Sequence, residues 1–227
     1  LELFRDLNLR SQRVDECLKV FPPKPVQSEH LRHAILFTGH RIDEPGRAKP
    51  RFPATAEEAV REQIHGQILR LLSDRPGAAI GIAGGANGGD ILFHEACTEA
   101  NIGTRVLLTL PEGPYIAESV ESAGPDWTQR FTKLMSGRPG KNQVQVLGPT
   151  KDLPPWMRGQ AGYDVWQRTN YWLLEDAIAT GAPDITLITL WDGEIGDGPG
   201  GTKDLVDLAR NHGVRVVMIN PATLVKS

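Results

Sequence analysis

The sequence Gly84-Gly85-Ala86-Asn87-Gly88-Gly89-Asp90 follows an apolar run that predicts a strand and opens a run that predicts a helix. A strand, a glycine turn and a helix N-terminus together present backbone N–H groups that no helical carbonyl accepts. Glycines let such a backbone approach an anion closely and tolerate the positive φ angles that the turn requires. We therefore expect this loop to hold a phosphorylated small molecule.

Composition narrows the classes of protein to which this chain can belong. Its 227 residues with 40% hydrophobic content suffice for one principal domain with a full core. A formal net charge of -3 argues against nucleic acid as a partner. The two cysteines, Cys17 and Cys97, have neither metal-ligand nor redox spacing, which predicts reduced thiols in a cytoplasmic protein. The sequence contains no apolar run of membrane-spanning length and no signal-peptide pattern, so we expect no membrane partner.

The first residues predict an appendage to that domain. Residues 1–25 combine a loose helical pattern with the helix-ending run Pro22-Pro23-Lys24-Pro25. We interpret them as a linker helix from a fused upstream module, and residues 26–227 as the domain itself. The chain begins at Leu1 without a methionine, which we interpret as the mark of a piece excised from a larger protein. The linker would pack on the domain or on a second copy in a homo-oligomer.

Strand-like and helix-like segments alternate along the rest of the chain. The predicted strands are short, nearly continuous apolar runs, as in parallel sheets covered on both faces: 34–37, 78–83, 105–110, 144–147, 185–190 and 214–219. The predicted helices begin at Thr55, the N-cap of a capping box with Glu58, and continue at 90–100, 126–135, 163–180 and 202–211. This order predicts an α/β fold, a doubly wound and mainly parallel Rossmann-like sheet with helices on both faces.

Ligands of such sheets bind beyond the carboxyl ends of the strands, where the strand order reverses. The first predicted strand ends in Thr38-Gly39-His40-Arg41. A hydroxyl, an imidazole and a guanidinium suit a phosphate or a carboxylate. A solvated loop with a surface arginine explains the same four residues equally well.

The glycine loop at residues 84–90 matches neither of the two common nucleotide motifs. It lacks both the Gly-Lys-Ser/Thr of a Walker loop and the Gly-x-Gly-x-x-Gly pattern, which argues against P-loop chemistry and NAD-dependent hydride transfer, and we expect no cofactor. Asp90 and His94 are four residues apart on one helical face, as in a metal pair, but the spacing supplies no third ligand. We therefore expect no metal, with Asp90 at the positive end of the helix dipole and His94 packed or solvated.

Two later segments add polar groups to the same predicted edge. Asn170 falls on the apolar stripe of its helix, so its amide either ties down a neighbouring backbone loop or reaches a ligand, and Arg168 could contribute beside it. The fifth strand leads to Asp192 and then to a second glycine turn before a helix, Pro199-Gly200-Gly201-Thr202. Two such turns after separate strands favour a shared anion site.

In their order, these four motifs resemble the SLOG superfamily, which includes the lonely-guy phosphoribohydrolases and the DprA/Smf DNA-processing proteins. The resemblance covers roughly residues 33 to 220 and implies a Rossmannoid domain that binds nucleotide-derived ligands, as a C-terminal module of a larger bacterial protein. The phosphoribohydrolases carry Pro-Gly-Gly-x-Gly-Thr-x-x-Glu. Here Thr202 follows Gly201 directly, Leu205 stands in the place of the glutamate, and Asp204 precedes it, as a shifted substitute or as a first-turn acid.

These observations predict a domain that senses a nucleotide or a nucleotide derivative, such as an ADP-ribose-like signal, through two phosphate loops. The alternative is hydrolysis of a nucleotide N-glycosidic bond, for which the candidate carboxylates are Asp90, Glu95, Glu112 and Asp192. Binding of single-stranded DNA, as in DprA, would require a basic and aromatic stripe that the sequence does not display.

Overall fold

The computed structural model describes residues 31–44, 46–137, 142–152, 165–194 and 200–224. All six predicted strands are present, with bounds that differ from the predicted ones by two residues or fewer. They are β1 (His33–Gly39), β2 (Ala79–Ala83), β3 (Gly103–Leu108), β4 (Asn142–Val146), β5 (Asp184–Leu190) and β6 (Arg215–Ile219). The predicted linker helix at 1–25 lies outside the described residues.

The strands form one parallel sheet in the order β4-β3-β2-β1-β5-β6. Ile35 at the centre of β1 pairs with Gly81 of β2 on one side and with Thr186 of β5 on the other. From β1 the chain adds strands in one direction up to β4 and then returns to add β5 and β6 in the other. The order thus reverses beside β1, which is where the doubly wound fold leaves a crevice for a ligand.

The helices agree with the prediction except near residues 112 and 55. They are α1 (Glu57–Asp74), α2 (Gly89–Glu99), α3 (Glu112–Ser119), α4 (Pro125–Ser136), α5 (Val165–Ala179) and α6 (Thr202–Asn211). The short helix α3 was not expected from the sequence. The capping box predicted at Thr55 is wrong, because Thr55 lies in a 3₁₀ turn and α1 begins after Ala56 without a side-chain cap.

Helices cover the sheet on both faces, which confirms the predicted fold class. Alternate residues of each strand point to opposite faces, so Ile35 and Phe37 join one core cluster and Leu36 joins the other. Residues of α1, α2 and α4 pack in the first cluster, and residues of α5 and α6 pack in the second. Since the strands are covered on both sides, their sequences are nearly continuous in apolar residues. In the part of the chain that the structure describes, no helix is both long and apolar enough to cross a membrane.

Candidate ligand-binding site

A cavity of about 740 Å³ opens at the carboxyl edge of the sheet, beside the reversal in strand order. Both glycine turns border it, although they are more than 100 residues apart in sequence. Ten of the residues proposed as ligand-binding line its wall: Thr38, Gly39, His40, Arg41, Gly84, Asp90, Asn170, Gly200, Gly201 and Thr202. The fold thus brings the β1 loop, the two glycine turns and α5 to one concave surface.

The amides of the first glycine turn are used within the protein. Four of its N–H groups donate to protein acceptors: Gly85 to Tyr115 Oη (3.0 Å), Ala86 to Asp90 Oδ2 (3.2 Å), Asn87 to Ser119 O (2.9 Å) and Gly89 to His40 O (3.1 Å). The expectation that this turn presents its amides to an anion is therefore wrong for these four groups. The turn positions Asp90, and its hydrogen bonds connect the end of β2 to α3 and to the β1 loop.

Close packing explains two glycines of this turn and its asparagine. Gly88 has φ +80°, and a Cβ there would lie 2.7 Å from Ile42 N and 2.9 Å from His40 O. Asn87 is 1% exposed; its Oδ1 accepts from Ile42 N (3.0 Å) and its Nδ2 donates to Val120 O (3.2 Å). Gly89 packs on Phe37 in the same way. Asn87, Gly88 and Gly89 lie outside the cavity lining, and they fix the β1 loop against α2.

Asp90 at the end of this turn and Tyr115 of α3 are two polar side chains that line the cavity beside Gly84. The Asp90 carboxylate packs against Gly84. Protein atoms surround most of this carboxylate, and its remaining side faces the cavity. Burial raises the pKa of Asp90 to about 7, against the opposing effects of the Ala86 amide and the Arg41 charge. Burial also raises the pKa of Tyr115, and the nearby Asp90 charge adds to that shift. At neutral pH, Asp90 is therefore divided between its charged and neutral forms.

His40 and Asp192 form a pair at the end of β1 and β5. His40 Nε2 lies 3.2 Å from Asp192 Oδ1, and Arg51 Nε lies 3.7 Å from Asp192 Oδ2. Burial lowers the pKa of His40 more than Asp192 raises it, so the ring is neutral at pH 7. Burial alone would raise the pKa of Asp192, but the Glu194 amide, His40 and Arg51 together hold that pKa below its ordinary value. Asp192 contacts His40 and holds its ring in position. Asp192 itself lies outside the cavity lining.

The other proposed carboxylates and His94 are placed away from the cavity. Glu95 binds Arg130, with Oε2 2.6 Å from Nη2, and Glu112 is exposed at the start of α3. His94 is 1% exposed, its Nε2 lies 2.8 Å from Gly84 O, and burial lowers its pKa to about 4. Within the described ranges, no group of three His, Cys, Asp or Glu side chains could hold a metal ion. Asp90 is thus the one proposed catalytic carboxylate that lines the cavity.

The second glycine turn is held against α5. Gly200 has φ +78°, and a Cβ there would overlap Trp166 Cβ. Asn170 Nδ2 donates to Gly200 O (3.1 Å) and to Gly201 O (3.3 Å), so its amide ties down a loop while its side chain also borders the cavity. Asp204 Oδ2 accepts from Gly200 N at 2.6 Å. Asp204 therefore stabilises the turn through this hydrogen bond and does not line this cavity.

Arg168 and Pro199 were also proposed to contact a ligand, and Arg168 does not line the cavity. Arg168 is directed toward the loop after β4, where its Nη2 would lie 3.4 Å from a Cβ added at Gly148. Pro199 lies outside the described residues, so its proposed contact remains a prediction.

Several cavity residues were not singled out from the sequence. They are Arg47, Arg51, Thr109, Tyr115, Trp166, Thr169 and Lys203. Thr109 directly follows β3 and Lys203 follows Thr202, so their places beside a strand end and a helix start were available signals. Tyr115 and Arg51 carried no such signal, because their positions depend on how α3 and the long β1 loop fold back.

The charges around the cavity are mixed. Among the described lining residues, four are basic, namely Arg41, Arg47, Arg51 and Lys203, and four are acidic, namely Asp43, Glu44, Asp90 and Glu118. Asp43 is occupied by the β1 loop itself, since its Oδ2 accepts from the amides of Arg51 and Phe52 at 2.8 Å. Protonation of Asp90 near neutral pH shifts the balance toward positive charge. The described wall therefore offers a polar ligand charged groups of both signs.

Comparison with known proteins adds little to this geometry. No protein-family model and no curated protein matches the chain. Among solved structures, it is similar to DNA processing protein A (DprA) from Streptococcus pneumoniae, with 15% identity and a TM-score of 0.34 over 81% of this chain and 58% of that one. It is also similar to Streptococcus suis SuiB bound to S-adenosylmethionine, with 11% identity and a TM-score of 0.25 over 84% of this chain and 47% of that one. The chain spans about half the length of these proteins, and its Rossmann-like architecture rests on its own six-stranded parallel sheet.

Proposed function

We propose that this chain binds a nucleotide or a nucleotide-derived ligand, such as an ADP-ribose-like molecule, in the cavity at the carboxyl edge of the sheet. The observation that carries the proposal is that Arg41 and the start of α6 border one cavity of about 740 Å³. That volume falls within the roughly 300 to 1,000 Å³ typical of small-molecule sites. Arg47, Arg51 and Lys203 lie in the same wall, each of them also paired with a carboxylate of the protein. The first N–H groups of α6 and the helix dipole favour phosphate there.

The rest of the wall suits the other parts of a nucleotide. Trp166 is partly exposed and supplies aromatic surface for a base. Thr38, Thr109 and Thr169 supply hydroxyl groups on the α5 side of the sheet. We further propose that the chain is a SLOG-like module of a cytoplasmic, multidomain bacterial protein, in which residues 1–25 link the domain at 26–227 to an upstream module. The ordered motifs support that assignment.

Replacing Arg41 tests the phosphate contact. Arg41 lines the cavity, and its Nη1 donates to Glu118 O at 2.9 Å, which leaves the other guanidinium nitrogen groups for a ligand. Loss of a charge-assisted contact to phosphate should weaken binding about ten- to hundredfold. Titration calorimetry of Arg41→Ala with AMP, ADP and ADP-ribose, and with adenosine as the ligand that lacks phosphate, measures the loss.

The matched control is Arg70→Ala, an identical change at an exposed position of α1 outside the cavity lining. It should leave every affinity unchanged. Equal affinities of Arg41→Ala and the wild type for all phosphorylated ligands would remove Arg41 from the site. Failure of the wild type to bind any of them would contradict the proposed function.

Hydrolysis of a nucleotide N-glycosidic bond is the second candidate function, and one observation favours it. Asp90 combines a place in the cavity wall with a pKa of about 7, which suits a general acid or base at neutral pH. If the chain is a hydrolase, Asp90→Asn should lower the release of free base from AMP or NAD by at least about a hundredfold. Chromatography of the products, with Asp74→Asn at the end of α1 as the control, makes the test. Absence of base release by the wild type would leave binding as the function.

A further inference from the structure

Asp90 from the first glycine turn and Tyr115 from α3 form a pair of side chains in the cavity wall. Tyr115 is 3% exposed, and its hydroxyl oxygen accepts from Gly85 N at 3.0 Å. Among the described residues no group accepts the hydrogen of that hydroxyl. Asp90 receives the Ala86 amide on Oδ2 at 3.2 Å and keeps further acceptor capacity. A buried donor and an acceptor therefore face the same cavity without a complete set of protein partners.

The two groups flank one residue. A Cβ added at Gly84 would lie 2.6 Å from Asp90 Oδ2 and 3.2 Å from Tyr115 Oη. Both oxygens thus lie close to Gly84 on its side-chain side, and any side chain at this position would fill the space between them. Gly84 keeps the pair accessible from the cavity.

The chemistry of the pair matches a hydroxyl group better than a phosphate. A ligand hydroxyl donates one hydrogen bond and accepts others, so it can donate to the Asp90 carboxylate and accept from the Tyr115 phenol at the same time. A phosphate oxygen at neutral pH offers the carboxylate no hydrogen and is repelled by the charged form of Asp90. The amides that could have offset that repulsion are already bound within the turn.

We propose that Asp90 and Tyr115 recognise a sugar hydroxyl of the bound ligand, while the basic side chains and the start of α6 bind its phosphates. This proposal rests on the proposed nucleotide-binding function and specifies it further: the ligand is a ribonucleotide, or a derivative with an intact ribose, rather than a deoxyribonucleotide. The pair determines specificity, because a site built around a hydroxyl leaves its own polar groups without partners when an analogue lacks that hydroxyl.

The experiment compares ADP with 2′-deoxy-ADP, 3′-deoxy-ADP and inorganic pyrophosphate by titration calorimetry. The wild type should bind ADP at least roughly tenfold more tightly than one of the two deoxy analogues. Asp90→Asn and Tyr115→Phe should each reduce that ratio to below about threefold, because the first replaces a carboxylate acceptor by an amide and the second removes the phenol donor. Neither variant should bind pyrophosphate more than about twofold more weakly than the wild type, whereas a general loss of folding would weaken that binding.

The control for charge removal is Asp74→Asn, at the exposed end of α1 and on the opposite edge of the sheet. It should keep the full ratio. Equal binding of ADP and both deoxy analogues by the wild type would overturn this inference and leave nucleotide binding intact. So would a ratio that persists in both Asp90→Asn and Tyr115→Phe, or a parallel loss of pyrophosphate binding in both. If the wild type binds none of the nucleotides, the proposed function fails first and the inference falls with it.

Discussion

Gly88→Ala should lower the free energy of unfolding by about 2 to 5 kcal/mol, which combines left-handed backbone strain with overpacking against main-chain atoms. At φ +80° an L-residue pays the first cost. The new Cβ would also lie 2.7 Å from Ile42 N and 2.9 Å from His40 O, both of which belong to the β1 loop. Because those atoms are backbone, the loop that carries His40 and Arg41 must move. Urea denaturation followed by circular dichroism measures the loss.

Gly181→Ala is the matched control for this effect. Gly181 follows α5 with φ +69°, and a Cβ there would meet nothing within 4 Å. It pays the strain alone, so it should cost only about 1 to 2 kcal/mol. Similar losses in the two variants would show that the packing of the first glycine turn on the β1 loop does not stabilise the fold. Gly88→Ala should also weaken ligand binding, because the displaced β1 loop borders the cavity.

Asp90→Asn should become more stable relative to the wild type as the pH rises. The folded-state pKa of Asp90 is about 7, whereas the unfolded value is 3.8. Between these values the folded chain binds a proton that the unfolded chain has released, so wild-type stability falls as the pH rises toward 7 and is level above it. Asparagine keeps an acceptor for the Ala86 amide and carries no charge. The stability difference between variant and wild type should shift by about 3 kcal/mol between pH 5 and pH 8.5.

Denaturation curves of both proteins at several pH values measure this shift, and Asp74→Asn supplies the control for an exposed aspartate. A stability difference that is independent of pH would mean that Asp90 titrates near its ordinary value. That result would also remove the argument for Asp90 as an acid or base at neutral pH. It would leave the proposed hydroxyl recognition open to its own test, because the latter depends on acceptor geometry.

The helices and strands were largely predictable, and the use of their polar groups was not. The strands from β1 to β6 follow from apolar runs that are too short for buried helices, and Gly213 and Gly181 mark helix ends by their positive φ angles. The helix α3 was missed because Glu112 to Ser119 is short and its apolar residues form no extended stripe. The capping role of Thr55 was mistaken because the 3₁₀ turn shifts the start of α1 by one residue, which makes Ala56 the N-cap.

The candidate site was likewise only partly predictable from the sequence. The sequence located both glycine turns after strands of one sheet, and parallel strands place such turns along one edge. It could not reveal that Gly85, Asn87 and Gly89 donate their N–H groups to protein acceptors, because those acceptors lie on α3 and the β1 loop. For Asn170 it left two roles open, and the contacts with Gly200 and Gly201 assign the loop-tying one.

By itself, the sequence determined the alternation of elements, the parallel sheet and the edge at which a ligand would bind. These properties depend on hydrophobic periodicity and on turn residues, which act over a few neighbouring positions. Only the tertiary structure decided that burial raises the pKa of Asp90 to about 7, that Tyr115 lies beside Asp90 and that Arg51 contacts Asp192. Desolvation and hydrogen bonding between distant segments set those properties, and they arise only when the chain has folded.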